Sequence, residues 1–193
     1  MRLTGLVLAG GRSRRMGRDK ATLVLDGERL VDRAVRRLGE CCVEVLVASG
    51  DGRRLEVTVP QVADPIPDGG PLAGLAAGLA AATTPAVAVV AVDAPYADAA
   101  VLRRCAERLG TAPACLPSVD GILQPLHAVW STSVAAEVRS ALERGARSPR
   151  DLAVALGAVV LDERSWQDVA SAGARFATSW NRPGDAGASV PPG

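Results

Sequence analysis

Hydrophobic positions along the chain follow two periods in turn. Leu3 to Leu8 is a short, mainly apolar run closed by Gly10-Gly11, and it predicts a buried strand. Leu30, Val31, Ala34, Val35 and Leu38 then recur at helical spacing with arginines between them, and Gly39 marks the stop. Val43 to Ser49 reads as the next strand. Asp51 to Pro60 reads as a hairpin-like or irregular piece, followed by a loop with Asp64 and the turn Pro67-Asp68-Gly69-Gly70. Pro71 to Ala82 predicts an apolar helix with proline in its first turn, where a missing N–H does no harm. Val87 to Val92 is apolar on both faces, as a central parallel strand should be, and ends at Asp93.

The second half continues the alternation. Asp98 is placed to cap a helix running to about Leu109, with Gly110 as terminator. Leu123 to Trp130 reads as a strand, and Ser131 or Ser133 caps a helix to about Arg144. Pro149 opens a short helix ending near Gly157; Ala158 to Leu161 is a brief strand and Ala174 to Ser179 a further candidate. Gly184 to Gly193 is rich in small and turn residues and is expected to be a disordered tail. No repeat or linker divides residues 1–183, so one α/β domain with a mostly parallel sheet is expected. Ligands in such sheets bind beyond the carboxyl ends of strands. Two strand ends here carry chemistry, Gly10-Gly11 and Asp93.

Composition narrows the classes. Lys plus Arg is 22 and Asp plus Glu 21, a net charge of +1, which argues against a dedicated nucleic-acid or anionic-membrane binder. No run of 18 apolar residues exists, and Met1 to Leu8 is too short for a signal peptide, so the expected compartment is the cytoplasm. The four cysteines, Cys41, Cys42, Cys105 and Cys115, contain no Cys-x-x-Cys and share the chain with one histidine, His127. That pattern predicts reduced, mostly buried thiols rather than a zinc site. Of the 22 basic residues 21 are Arg, and Asn, His, Tyr and Phe each occur once, so a residue type used once marks a position where substitutes fail. The single Lys is Lys20 and the single Asn is Asn181.

Leu8 to Lys20 is the most informative segment. It is glycine-rich, and five of the nine residues from Arg12 to Lys20 are basic. Glycines let backbone N–H groups approach an anion, while Arg and Lys neutralise it, so a polyphosphate is the natural guest. The spacing is neither that of a P-loop nor that of a dinucleotide fingerprint. A solvated basic loop is the plain alternative.

Leu-Ala-Gly-Gly-x-Ser-x-Arg-Met-Gly-x-Asp-Lys, from Leu8 to Lys20, resembles the signature of the MobA-like nucleotidyltransferases, most closely those that add guanylate to the molybdenum cofactor. Lys20 falls on the signature's lysine. Gly70-Pro71-Leu72-Ala73-Gly74 is similar to the family's second glycine segment and Asp93-Ala94-Pro95-Tyr96 to its metal-binding segment. Gln124-Pro125-Leu126-His127-Ala128 resembles its acceptor-side strand, and Trp180-Asn181-Arg182-Pro183 its late Asn-x-Asn-Thr-Pro turn. Ser179 replaces the first asparagine of that turn and Arg182 the threonine, and the family's closing helix is missing.

The resemblance implies a three-layer, Rossmann-like nucleotidyltransferase fold with a mostly parallel central sheet. It implies transfer of GMP from GTP to the terminal phosphate of molybdopterin, with or without molybdenum, with release of pyrophosphate. Mg²⁺ is the implied cofactor, and cofactor-delivery or acceptor proteins are implied partners. Leu8, Ala9, Gly10 and Gly11 would offer backbone contacts to base and phosphate, and Arg14, Arg15 and Lys20 would neutralise the triphosphate. Asp93 would hold Mg²⁺, with Arg15, Lys20 and Asp93 as the catalytic set, and Asp64 would orient the ribose or the metal's water shell. Gly70 and Gly74 would allow close approach at a helix start; Ser179 and Asn181 would meet the acceptor. The Gly10-Gly11 pair favours guanine, since the cytidylate relatives tend to have Ala at the position of Gly10.

Other residues read more plainly. Arg12 and Arg18 are expected to face solvent, Asp19 to pair with a nearby Arg, and Asp68 to form a turn. His127 is expected as a strand residue, Trp130 and Trp166 as packing. Two alternatives remain: a cytidylyl- or other nucleotidyltransferase with another phosphorylated acceptor, and a non-catalytic GTP-binding module.

Overall fold

A computed structural model describes residues 1–10, 20–50, 52 and 54–180. In chain order the elements are β1 (Leu3–Leu8), a two-stranded antiparallel pair β2 (Val24–Leu25) and β3 (Glu28–Arg29), α1 (Leu30–Gly39), β4 (Glu44–Ala48) and β5 (Gln61–Val62). There follow α2 (Gly70–Ala81), β6 (Ala86–Ala91), α3 (Ala99–Leu109), β7 (Ala114–Val119), β8 (Ile122–Leu123) and β9 (His127–Ser131). Then come α4 (Ala135–Glu143), α5 (Pro149–Leu156), β10 (Val159–Leu161) and α6 (Glu163–Trp166).

The main sheet has the order β10-β7-β9-β6-β1-β4-β5, with β8 paired to β7. Contacts of β1 with β4 and β6 are parallel, as are β4 with β5 and β10 with β7; β9 runs antiparallel between β6 and β7. β1 lies inside the sheet between β6 and β4 and is buried along its whole length. Register decides where a site can form. Leu8 is aligned with Ala48 of β4 on one side and with Ala91 of β6 on the other. The three carboxyl ends are therefore level, and the residues after them emerge around one crevice: Ala9-Gly10, Ser49-Gly50 and Val92-Asp93.

Two apolar layers cover the sheet. Leu30, Val31, Ala34 and Leu38 of α1 join Val101, Leu102 and Cys105 of α3 on one face. Leu72, Leu75 and Leu79 of α2 join Val138 and Leu142 of α4 on the other. Among them α2 carries no charge and is buried through most of its first two turns, as its sequence requires.

Several expectations change. The run Leu123 to Trp130 is two strands, β8 and β9, because Pro125 has no N–H to donate and the chain turns there: Gln124 donates to the Pro117 carbonyl and His127 to the Gln124 carbonyl. Ala174 to Ser179 is no strand. Its core is a 3₁₀ turn over Gly173–Ala177, set by its one large apolar anchor, Phe176, which inserts between His127 and Trp166. Asp51 to Pro60 forms no hairpin among its described residues; the side chain of Gln61 instead makes two hydrogen bonds with the Leu55 backbone. All four cysteines are free, but only Cys105 and Cys115 are buried, while Cys41 and Cys42 are half-buried at the turn after α1. The expected tail over residues 184–193 lies outside the described residues.

Candidate active site

Glycine at position 10 is a packing requirement. A Cβ there would lie 2.7 Å from the Gly50 Cα and 2.9 Å from its nitrogen, backbone against backbone with no flexible side chain to yield. The ends of β1 and β4 touch here because residue 10 carries no Cβ, while Gly50 takes a left-handed φ of +77° that suits glycine. Ala9 donates to the Ala48 carbonyl at 2.9 Å and Asp64 to the Gly50 carbonyl at 2.8 Å, so the same contact braces the loop that carries Asp64.

The α2 helix closes that side. Gly70 begins it at φ +66°, a left-handed conformation suited to glycine. A Cβ on Gly74 would come 2.8 Å from the Leu8 side chain, 3.3 Å from that of Ala48 and 3.6 Å from Asp64 Oδ1. Leu8, Ala9, Gly10, Asp64 and Gly74 thus meet at one corner. Gly70 sits one turn before Gly74, at the α2 start.

The opposite side is built by β6. Val92 donates to the Leu8 carbonyl at 3.0 Å, which holds the segment leaving β6 against β1 and delivers Asp93 to the crevice. Lys20 reaches it from the 3₁₀ turn Lys20–Thr22: its Nζ lies 2.6 Å from Asp93 Oδ2, with both side chains about one-fifth exposed (21% and 22%). The chain's only lysine is therefore paired with its candidate metal carboxylate across 73 residues. Such a part-exposed pair contributes little to stability by itself. It places a cation and a hard oxygen donor at one mouth.

A C-terminal strap, from α6 to Trp180, covers the loop after Asp93. Trp180 donates its backbone N–H to the Asp93 carbonyl at 2.8 Å, so Ser179 arrives beside the site while the Trp180 ring is buried. Asp98, 4% exposed, accepts from Ala100 and Val101 as the cap of α3 and from Ser171 through both its N–H, 2.7 Å, and its hydroxyl, 2.6 Å. Burial alone would raise this carboxyl's pKa; the hydrogen bonds from Ser171, Val101 and Ala100 outweigh it and hold the group below the usual carboxylate range. Arg104 pairs with Asp168 at 3.1 Å, and the Arg175 guanidinium lies 4.0 Å above the centre of the Tyr96 ring. His127 stacks on Phe176 at 4.6 Å. It is 2% exposed, and burial lowers its pKa to about 4, with Asp98 pulling the other way through its charge and backbone.

Gly11, Arg12, Arg14, Arg15, Arg18, Asp19 and Asn181 lie outside the described residues. Asp68 forms the expected turn at φ +54°. Trp130 and Trp166 are packing residues whose indole N–H groups donate to the Pro125 and Ser118 carbonyls. Sequence reasoning passed over Ser49-Gly50, although a glycine just after a parallel strand is the same signal that singled out Gly10. It also missed the strap, for which no local pattern exists. An open groove of about 1000 Å³ beside β5 is lined by Ser49 and Ala63, the chain neighbours of Gly50 and Asp64, and by neither Lys20 nor Asp93.

Comparison with known proteins follows the same lines. The family described as MobA-like NTP transferase domain matches residues 5–159. A probable molybdenum cofactor guanylyltransferase of Opitutus terrae is 39% identical, over 95% of this chain and 92% of that protein. One from Chloroflexus aggregans is 38% identical over 86% and 84% respectively. Among solved structures, molybdopterin-guanine dinucleotide biosynthesis protein A from Archaeoglobus fulgidus superposes with a TM-score of 0.82 at 23% identity, covering 96% of this chain and 95% of that one. The 2-C-methyl-D-erythritol 4-phosphate cytidylyltransferase of Thermus thermophilus shares the fold at a TM-score of 0.68 and 22% identity, covering 96% of each chain.

Proposed function

The chain belongs to the MobA-like NTP transferase family, and from that premise we propose that it transfers GMP from GTP to the terminal phosphate of molybdopterin. The observation that carries this reading is the Lys20–Asp93 pair at the mouth shared by three level strand ends, beside the Gly10–Gly50 contact. Relatives named as guanylyltransferases over nearly the whole chain support the choice of nucleotide and acceptor.

An oxygen of the acceptor phosphate attacks the α-phosphorus of GTP. A new P–O–P bond forms, the bond from the α-phosphorus to the β-bridging oxygen breaks, and pyrophosphate leaves with that electron pair. The attacking phosphate is already ionised at neutral pH, so no general base is needed. This agrees with a sole histidine that is buried and held neutral. Catalysis then consists of alignment and charge neutralisation. Backbone groups of Leu8, Ala9 and Gly10 hold the nucleotide, Gly70 and Gly74 admit it at the α2 start, and Asp64 orients the ribose. Lys20, with Arg15, takes the charge of the triphosphate and the departing pyrophosphate. Ser179 and Asn181 are the proposed contacts for the acceptor.

The residues fit Mg²⁺. Asp93 is a hard donor that meets Lys20 through Oδ2, and no cluster of three His, Cys, Asp or Glu forms a protein cage among the described residues. One carboxylate completed by phosphate oxygens and water is a usual Mg²⁺ donor set. Bound there by Asp93, the ion would supply Lewis-acid neutralisation of the phosphates. No helix among the described residues is long and apolar enough to cross a membrane, and we place the reaction in the cytoplasm.

The test is pyrophosphate release by the purified protein with Mg²⁺ and molybdopterin, comparing GTP with CTP. Release with GTP is expected. Release with CTP alone would overturn the base assignment, and GTP binding without release with either nucleotide would favour another acceptor or a non-catalytic module. Asp93→Ala should cut turnover by orders of magnitude while weakening nucleotide binding far less.

A further inference from the structure

A phosphate acceptor must be brought against a triphosphate, and both are anions. Lys20 is already engaged by Asp93 at 2.6 Å. Another cation is needed on the acceptor side of the crevice. Arg175 meets the requirements. It is exposed and, among the described residues, makes no ion pair with a carboxylate. Its guanidinium carbon lies over the ring of Tyr96, 4.0 Å from the ring centre. Tyr96 is three residues beyond Asp93, a span of at most about 10 Å. Five residues after Arg175, the Trp180 N–H is bonded to the Asp93 carbonyl, so the strap is anchored to this loop on both sides of Ser179.

The residues that fix this arrangement are the ones the chain uses once. Its only Tyr is the shelf under Arg175, its only Phe anchors the strap, and its only His is the surface on which that Phe stacks. A guanidinium stacked on a ring keeps its edge N–H donors free to hydrogen-bond, and the ring holds its orientation. That is the form in which arginine grips a phosphate through two oxygens.

We infer that Arg175, shelved on Tyr96, receives the terminal phosphate of the acceptor and holds it in line with the nucleotide; this rests on the proposed reading of the site. Arg175 is then an acceptor-binding residue and Tyr96 a positioning residue.

Initial rates of pyrophosphate release, with GTP and molybdopterin varied separately, test it in Arg175→Gln, Arg175→Lys and Tyr96→Leu. Arg175→Gln is expected to raise the acceptor KM tenfold or more and to leave the GTP KM within twofold. Arg175→Lys, which keeps charge but not the planar fork, should fall between. Tyr96→Leu should raise the acceptor KM severalfold with the same sparing of GTP. An unchanged acceptor KM in Arg175→Gln would overturn the inference. Binding of phenyl phosphate by titration calorimetry separates it from the reading beneath it. If the wild type releases no pyrophosphate with molybdopterin, yet binds phenyl phosphate tenfold more tightly than Arg175→Gln, the anion site stands and the acceptor's identity falls. Equal binding by the two proteins would overturn the anion site itself.

Discussion

A methyl group at position 10 would meet the backbone of Gly50 at 2.7 Å, so β1 and β4 would have to part to admit it. Gly10→Ala should therefore cost about 1–3 kcal/mol of stability. It should also lower kcat/KM for GTP by at least tenfold, since the displaced backbone is the one proposed to bind the nucleotide. Denaturant titration and steady-state kinetics would measure the two; wild-type values in both would show that the contact is dispensable. Lys20→Arg keeps the charge but replaces a compact ammonium with a larger planar fork, and a clear loss of turnover is expected. His127 sets a pH dependence. Its folded-state pKa is about 4 against an ordinary value of 6.5, so the unfolded chain binds the proton first. Its contribution is complete above about pH 6.5 and is lost as pH falls toward 4, about 3 kcal/mol at most. Neither ring nitrogen has a hydrogen-bond partner meeting ordinary geometry, so His127→Phe should keep the fold. The stability difference between pH 7 and pH 4.5 should shrink in that variant, as read from thermal midpoints.

At the level of elements, Asp98 joins two structures with one carboxylate. It caps α3 and ties down the strap through Ser171. Its capping role was legible from its position before an apolar-periodic segment ending at Gly110. The bond to Ser171 was not, because 73 residues separate the partners. Asp98→Ala should lose the cap, about 1 kcal/mol, and leave the Ser171 groups poorly paired, for a total of about 2–3 kcal/mol. With the strap loosened, the acceptor KM should rise more than the GTP KM. Equal changes in the two would place the strap's role elsewhere. Helix α2 shows how far composition alone reaches. A helix of Gly, Ala and Leu with proline at its start reads as buried, yet only the packing reveals that Gly74 is the space through which Leu8, Ala48 and Asp64 meet.

For the whole molecule, register places the site. The level ends of β1, β4 and β6 make a mouth formed only in the folded chain, and a ligand of that mouth stabilises the fold. GTP with Mg²⁺ at one hundred times its dissociation constant should contribute about 2.7 kcal/mol. In a chain of this size that is a rise in Tm of about 5–10 °C. The rise should shrink in Gly10→Ala, and its absence in the wild type would count against nucleotide binding.

What the sequence determined by itself was local or periodic. The apolar periods marked β1, α1, α2, β6 and α3 to within a residue or two, because burial of a strand or a helix stripe writes itself into neighbouring positions. Rarity marked Lys20, the glycines closing the first strand marked Gly10, and the resemblance to one family marked Gly74 and tied all three to one class of reactions. Tertiary structure decided what depends on distant partners. The reversed direction of β9, the break at Pro125, the Gly10–Gly50 contact and the pairing of Lys20 with Asp93 each join residues far apart in the chain or depend on which strands come to lie side by side. Phe176 had no pattern around it to mark it, and it became an anchor only because His127 and Trp166 lie opposite. Periodicity reports which side of an element is buried; it carries no information about what that side is buried against.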